Sequence, residues 1–310
     1  MKKQIVKLSL IGLCFAVVFT ACKKNNNDST TDYTTELSTH ADDQAQVSDD
    51  VDATANDANL VLESNASFTG RPGQVENLIC NATVVVDTAS NPRTITITYN
   101  GPSCQGNTTR TGVVVLSMPA GVRWRNAGAA LTVTFQNLKI TRVRDNKSIT
   151  INGSQVYTNV SGGLLVNLPT LGSITHTITS SGMSLTFDNG SQRTWQVAKQ
   201  RVFTYNNGIV ITSTGTHTEG SVTNIAEWGT NRFGNAFTTS TVSPLVVRQD
   251  CNGRITSGAV KHTTPNVTAT ATFGLDVNGN PTGCPGTGTY YMKIVWVNAN
   301  GVTRTVILPY

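Results

Sequence analysis

The sequence predicts a mainly β protein: a large bent antiparallel sheet, either a sandwich or a half-barrel, with one N-terminal amphipathic helix. Three observations carry this. Beyond residue 70, apolar residues alternate with Thr, Ser and Asn in run after run, the two-residue period of a strand with one buried face. Turn signals of the Asn-Gly type separate those runs closely, which favours antiparallel neighbours. Between residues 35 and 62 the apolar spacing is instead three to four, the period of a helix.

The chain of 310 residues opens on Met1-Lys2-Lys3 and Lys7, then an apolar stretch from Leu8 to Phe19, then Thr20-Ala21-Cys22. A positive start, an apolar run too short to span a bilayer and small residues before a cysteine form an export segment. The order resembles a bacterial lipoprotein signal. That resemblance implies that residues 1–21 are a signal peptide, that Cys22 is the lipidation site, and that acyl chains such as palmitate anchor the protein in the cell envelope, at the outer membrane. A doubly or triply acylated terminus holds a chain stably on a membrane without spanning it.

Residues 22–34 are read as a polar tether, too poor in apolar groups to order itself. Residues 35–70 are read as an acidic helix and linker, with Leu37, Val47, Val51, Ala55, Ala58 and Leu62 in a weak stripe. Residues 71–310 are read as a single β domain. Ile95, Ile97 and Tyr99 alternate with threonines, as do Leu131, Val133 and Phe135; after Gln136-Asn137 the apolar parity shifts to Leu138 and Ile140, as a β-bulge requires. Further strands are expected over 149–158, 174–178, 183–187, 195–205, 209–214, 236–242, 267–273, 290–297 and 303–308. Asp188-Asn189-Gly190, Asn206-Asn207-Gly208, Asn252-Gly253, Asn278-Gly279-Asn280-Pro281 and Asn300-Gly301 supply the turns.

Six cysteines are present. With Cys14 in the signal segment and Cys22 lipidated, Cys80, Cys104, Cys251 and Cys284 remain, an even number that suits two disulfides in an exported protein. Of the three connectivities, Cys80–Cys104 and Cys251–Cys284 are favoured, since each pair brackets a turn-rich stretch. Zinc would want a Cys-x-x-Cys spacing or paired histidines, and neither is found.

Cys80-Asn81-Ala82-Thr83, Pro92-Arg93-Thr94, Gly101-Pro102-Ser103-Cys104 and Arg110-Thr111-Gly112, with the segments Leu185–Trp195 and Ser243-Pro244-Leu245 before Cys251, resemble a family of uncharacterised Bacteroidota lipoproteins. The likeness covers most of residues 75–290 and implies location and a four-cysteine β architecture, without an activity. Where that family carries aspartates beside the second and last cysteines, this chain has Asn107-Thr108-Thr109-Arg110 and Asn280-Pro281-Thr282-Gly283. No ion site and no cofactor is expected there. Asp87-Thr88-Ala89 and Asp28-Ser29-Thr30 resemble O-glycan acceptors of exported proteins in the same phylum.

Charge is unevenly placed. Residues 22–70 hold ten acids against Lys23 and Lys24, a net of about −8, while residues 71–310 hold eighteen bases against eight acids, a net of about +10. A basic body can dock on anionic headgroups, on acidic polysaccharide or on its own acidic stem. The bases are dispersed and form no Lys/Arg-rich run, so nucleic acid is not an expected partner.

No Gly-x-Ser-x-Gly, His-Glu-x-x-His or phosphate-cradling loop is found. Glu219 and Glu227 are a close glutamate pair and would suit glycoside hydrolysis if they faced one another. Asp145, Asp188, Asp250 and Asp276 sit in turn-like surroundings, His40 lies on the helix, and His176 shares strand parity with Ile174 and Ile178. Trp195 and Trp296 fall in alternating strands and read as core. Trp124, between Arg123 and Arg125, and Trp228 read as exposed aromatic faces for a glycan or acidic polymer. The leading expectation is a non-enzymatic envelope lipoprotein with a binding or structural surface, whose partners are the membrane through Cys22 and a polysaccharide or envelope protein. The alternatives are a carbohydrate-binding component of a surface glycan system and, further off, a hydrolase.

Overall fold

The structure, a computed structural model, describes residues 34–69, 79–104, 106–251, 253–284, 288–298 and 301–310. The signal segment, Cys22 and the tether up to residue 33 lie outside these. One long helix, α1 (Thr34–Ser64), is followed by fifteen strands: β1 (Ala82–Asp87), β2 (Arg93–Pro102), β3 (Thr108–Met118), β4 (Ala129–Arg142), β5 (Ser148–Asn159), β6 (Ser173–Phe187), β7 (Gln192–Tyr205), β8 (Ile209–Gly215), β9 (His217–Glu219), β10 (Val222–Thr230), β11 (Ala236–Arg248), β12 (Arg254–Thr263), β13 (Val267–Leu275), β14 (Tyr291–Asn298) and β15 (Thr303–Pro309). All fifteen belong to one sheet. Its order is β1 through β7, then β10 through β15, with β8 pairing both β7 and β11, and β9 pairing β10. Every pairing among these strands is antiparallel. A two-sheet sandwich is therefore set aside in favour of a single curled sheet.

Residues 34–64 contain neither Gly nor Pro, so nothing interrupts α1, and its ends fall within two residues of the expected ones. The curl follows from what α1 touches. Adjacent residues Asp42 and Asp43 bond Arg142, at the end of β4, and Arg232, just after β10. These strands are four steps apart in the sheet, roughly 19 Å if it were flat. Successive strands from β2 to β7 share one core with the helix, as a sheet curled around it as a half-barrel would. Val47, Ala55, Ala58, Val61 and Leu62 of α1, with Phe68 in the short turn after it, share one core with Ile95, Ile97, Leu116, Val133, Ile151, Leu185 and Trp195 of the sheet. The acidic helix is thus an integral layer of the β body.

The expected bulge is present. Pairing of β4 with β5 slips between Phe135 and Leu138, Asn137 adopts a left-handed φ of 50°, and its N–H donates to Asn152 Oδ1 at 2.8 Å. Opposite it, Gly112 has φ 110°, and a Cβ there would lie 2.2 Å from the Asn137 carbonyl oxygen. Only glycine fits so close a backbone approach. The runs 174–178 and 183–187 prove to be one strand, β6, interrupted by a register shift between Thr179 and Ser184. Both expected disulfides form, Cys80–Cys104 and Cys251–Cys284.

Candidate functional site

The residues read as a ligand platform are separated. Trp124, in the β3–β4 connection, is buried at 2 % exposure, with its ring edge on His176 at 5.1 Å and its carbonyl accepting from Asn159 Nδ2 at 2.8 Å. Its flanking position between two arginines suggested exposure, but the loop folds under the sheet, and the ring closes one end of the core. Arg123 Nη1 donates to the Ala66 carbonyl at 3.2 Å, and Arg93 donates to the carbonyls of Ser67 and Val122. These guanidinium groups satisfy the Ala66 and Ser67 carbonyls, left free where the helical segment ends, and tie them to the β3–β4 connection through the Val122 carbonyl. Arg125 is exposed. Trp228 is half-buried on β10 and stacks on His217 at 4.0 Å and 14°. Trp195 is core as expected, whereas Trp296 is only half-buried.

The glutamates do not form a hydrolytic pair. Glu219 is exposed on β9, while Glu227 is 4 % exposed beneath α1. Glu227 bonds the Lys199 ammonium and accepts from Trp195 Nε1 and Gln44 Nε2, each at 3.2 Å. Asp276 plays the turn role expected of it, with Oδ1 accepting from the N–H of Asn278 and Asn280. Asp250 lies near Cys251 and Cys284, but both sulfurs are spent in the disulfide and cannot ligate a metal.

The structure instead gathers a polar seam along the underside of α1. Asp42 accepts from Arg142 Nη1 and Nη2, each at 2.8 Å, and from Lys147 at 3.1 Å. These partners hold its carboxyl well below the usual range, the Arg142 bond contributing most. Asp43, 2 % exposed, takes Arg232 Nε at 2.7 Å; Arg232 also reaches Asp188 at 2.9 Å. Burial pushes the Asp43 carboxyl up, against the pull of the guanidinium. Asp57 accepts from Arg110 at 2.6 Å and from Tyr99 Oη at 3.0 Å. Glu36 accepts from Asn231 and Asn235 at 2.9 and 2.6 Å. Among the described residues, the five arginines and lysines that meet Asp42, Asp43 and Asp57, namely Arg110, Arg142, Arg144, Lys147 and Arg232, all lie within two residues of a strand end.

At the centre, His40 of α1 stacks on His262 of β12 with centroids 4.1 Å apart, and packs on Phe237 at 4.6 Å. His262 Nδ1 lies 3.1 Å from Thr239 Oγ1, which accepts from Gln44 at 3.0 Å. Both His40 nitrogens and His262 Nε2 are buried with no hydrogen-bond partner among the described residues. Burial holds His40 well below its ordinary value, with the neighbouring His262 adding to the effect. Burial lowers His262 to about 4 despite the nearby carboxylates of Glu227 and Glu36, and lowers His176 to about 4. Both rings of the pair are therefore neutral at pH 7.

The recess between Val47, Val51, Met183, Trp195, Lys199 and Glu227 has room for about one water molecule. It is a packed joint, with no space for a substrate. The sequence hinted at this seam through the acid–base asymmetry of its two parts and the Asp42-Asp43 doublet, but which base met which acid was not readable. Comparison with known proteins gives no matching family model, no matching curated protein and no matching solved structure.

Proposed function

We propose that the chain is a lipid-anchored cell-envelope protein, held at the outer membrane through Cys22, with a non-enzymatic binding or structural role. The observation that supports the non-enzymatic reading is the filling of the half-barrel. The inner face, where a bent sheet would offer a cleft, is occupied by the chain's own helix, and the buried carboxylates there are engaged by Arg, Lys, Trp and Gln donors. Contacts with partners then fall to the outer surface and the sheet's ends. The anchoring rests on the order of charged, apolar and small residues before Cys22. Metabolic labelling with palmitate tests it: label in the envelope fraction that disappears in Cys22→Ala supports the reading, and label that persists refutes it.

A glycan contact is a second reading, favoured by Trp228 alone. Its ring is half-buried beside His217 and leaves an aromatic edge for a sugar. Retention on a glycan array that drops in Trp228→Ala and not in Trp124→Ala supports it; equal retention in both refutes it.

A further inference from the structure

The last two strands break the pattern of the rest of the sheet. In β2 every second side chain from Arg93 to Tyr99 is buried and the others are not, as a sheet with one solvated face requires. In β14 and β15 the apolar residues instead run consecutively, as Ile294-Val295-Trp296-Val297 and Val306-Ile307-Leu308. Their side chains thus project from both faces, yet no described residue of either strand is fully buried. Continuous apolar runs are the pattern of an interior strand. Among the described residues, however, β15 pairs only with β14 and forms an edge.

The backbone of that edge is regular. Tyr310 N–H donates to the Tyr290 carbonyl at 3.0 Å, and the pairs from Tyr291↔Pro309 to Val297↔Thr303 continue that register without a shift. Hydrogen-bonded pairs alternate along an antiparallel ladder, so Arg304, Val306 and Leu308 bond β14, while Thr303, Thr305 and Ile307 turn N–H and C=O outward. Pro309 belongs to the outward set, where its missing N–H costs no bond to β14. Edge strands are commonly blunted by a bulge or a lysine, and β15 has neither. The opposite edge differs: in β1, Ala82, Val84 and Val86 pack on the main core while Thr83 and Val85 face solvent.

We propose that β15 is a self-association edge, pairing antiparallel with β15 of a second copy of this chain so that one sheet runs across a twofold axis. The proposal rests on neither the lipid anchor nor the glycan contact. What selects a second copy is that the strand complements itself, in a register centred on Thr305. There Thr305 faces its counterpart, Thr303 faces Ile307 of the second copy, and Arg304 faces Val306 of the second copy. All three outward N–H groups of each copy then meet a carbonyl, giving six hydrogen bonds. Centring on Arg304 would set two arginines opposite one another, which is destabilising. Centring on Val306 or Ile307 would bring in Pro309 and leave an outward carbonyl without a donor. An isologous pairing of this kind closes on itself, and it moves β15 to the interior position that its composition suits.

The test uses the full chain purified in mild detergent, for which sedimentation velocity should show a concentration-dependent dimer. In the Thr305-centred register the two Thr305 Cα atoms lie about 5.5 Å apart, within the span of a disulfide. Arg304 and its counterpart are offset by two residues, about 7 Å along the strands, and lie beyond that span. Thr305→Cys should therefore give a reducible cross-linked dimer on mild oxidation and Arg304→Cys should not, though both positions are exposed; the parent chain sets the background. Thr305→Pro removes an N–H that β14 does not use and deletes two of the six bonds between copies. At about fivefold for each bond, the dimer should weaken roughly twentyfold with an unchanged circular dichroism spectrum. Thr305→Lys keeps the N–H and sets two ammonium groups opposite one another, and should weaken the dimer by about a few-fold; it serves in place of a proline that disturbs the strand. A chain that stays monomeric at every concentration overturns the proposal. So does cross-linking through Arg304→Cys as readily as through Thr305→Cys, and so does a dimer indifferent to both Thr305→Pro and Thr305→Lys, which would place the interface elsewhere.

Discussion

Replacing Asp57 by Leu removes the acid that Arg110 Nη1 meets at 2.6 Å and that Tyr99 Oη meets at 3.0 Å. The side chains of Arg110 and Asp57 are only 8 % and 16 % exposed, and the guanidinium lies over the Tyr99 ring at 4.4 Å. An uncompensated charge buried in this way costs about 3–5 kcal/mol. For a domain of this size, where about 1 kcal/mol moves Tm by roughly 2–4 °C, the midpoint should fall by on the order of 10 °C. Arg110→Met added to Asp57→Leu removes the stranded charge and replaces the pair with apolar side chains. Stability of the double variant should return to within about 1 kcal/mol of the original, since such replacements are often neutral or better. Urea unfolding of the four proteins, followed by circular dichroism, gives the cycle. Single costs under about 0.5 kcal/mol, or costs that simply add, would refute the claim that this contact is a desolvated joint.

Acid should loosen the fold in two windows. His262 and His176 are lowered in the folded state to about 4 from 6.5, so below pH 6.5 the unfolded chain binds protons that the folded chain refuses. Stability should fall from pH 6.5 to about 4 by about 3 kcal/mol for each ring; a flat stability curve over that range would contradict it. The Asp42 carboxyl is depressed from 3.8, so its contribution is present above that pH and is lost only as pH falls further, and Asp42→Asn should remove that second loss. Gly112→Ala forces a Cβ to 2.2 Å from the Asn137 carbonyl and should destabilise by several kcal/mol, on the order of other strained backbone substitutions, whereas Gly106→Ala, with open space around it, should cost far less; equal melting shifts would undo the bulge argument. Cys251→Ser with Cys284→Ser opens a loop with a sequence separation of 33 and should cost about 3–4 kcal/mol in the chain-entropy description, measured by denaturation against the oxidised parent.

Local periodicity revealed most of the secondary structure. The stripe from Leu37 to Leu62 marked α1 to within two residues, and the parity break at Gln136-Asn137 marked the bulge. Strands β1, β3, β9, β10 and β12 were not among the expected runs; β1 and β3 carry runs of consecutive valines in place of alternation, and β12, Arg254–Thr263, mixes Ser, Gly, Lys and His with few large apolar residues. Arg110 and Arg142 broke the alternation that points bases outward. They lie on the inner face because their acids come from a helix 53 and 100 residues away in sequence, a pairing no local window contains. Trp124 misled for a related reason: its arginine neighbours implied solvent, yet Arg123 turns back to the carbonyl of Ala66 and the indole goes under the sheet. The candidate site was legible only as a charge imbalance between helix and body, since the seam is made by long-range contacts.

The central claim is that the acidic helix is a structural layer of the half-barrel, joined to it by buried acid–base pairs and a common core. Native-state hydrogen exchange of α1 tests it most directly. The amides between His40 and Leu62 should exchange with the same opening free energy as those of β4, β5 and β6, because their side chains share one core. Exchange of α1 by a separate, much easier opening while the central strands stay protected would contradict it.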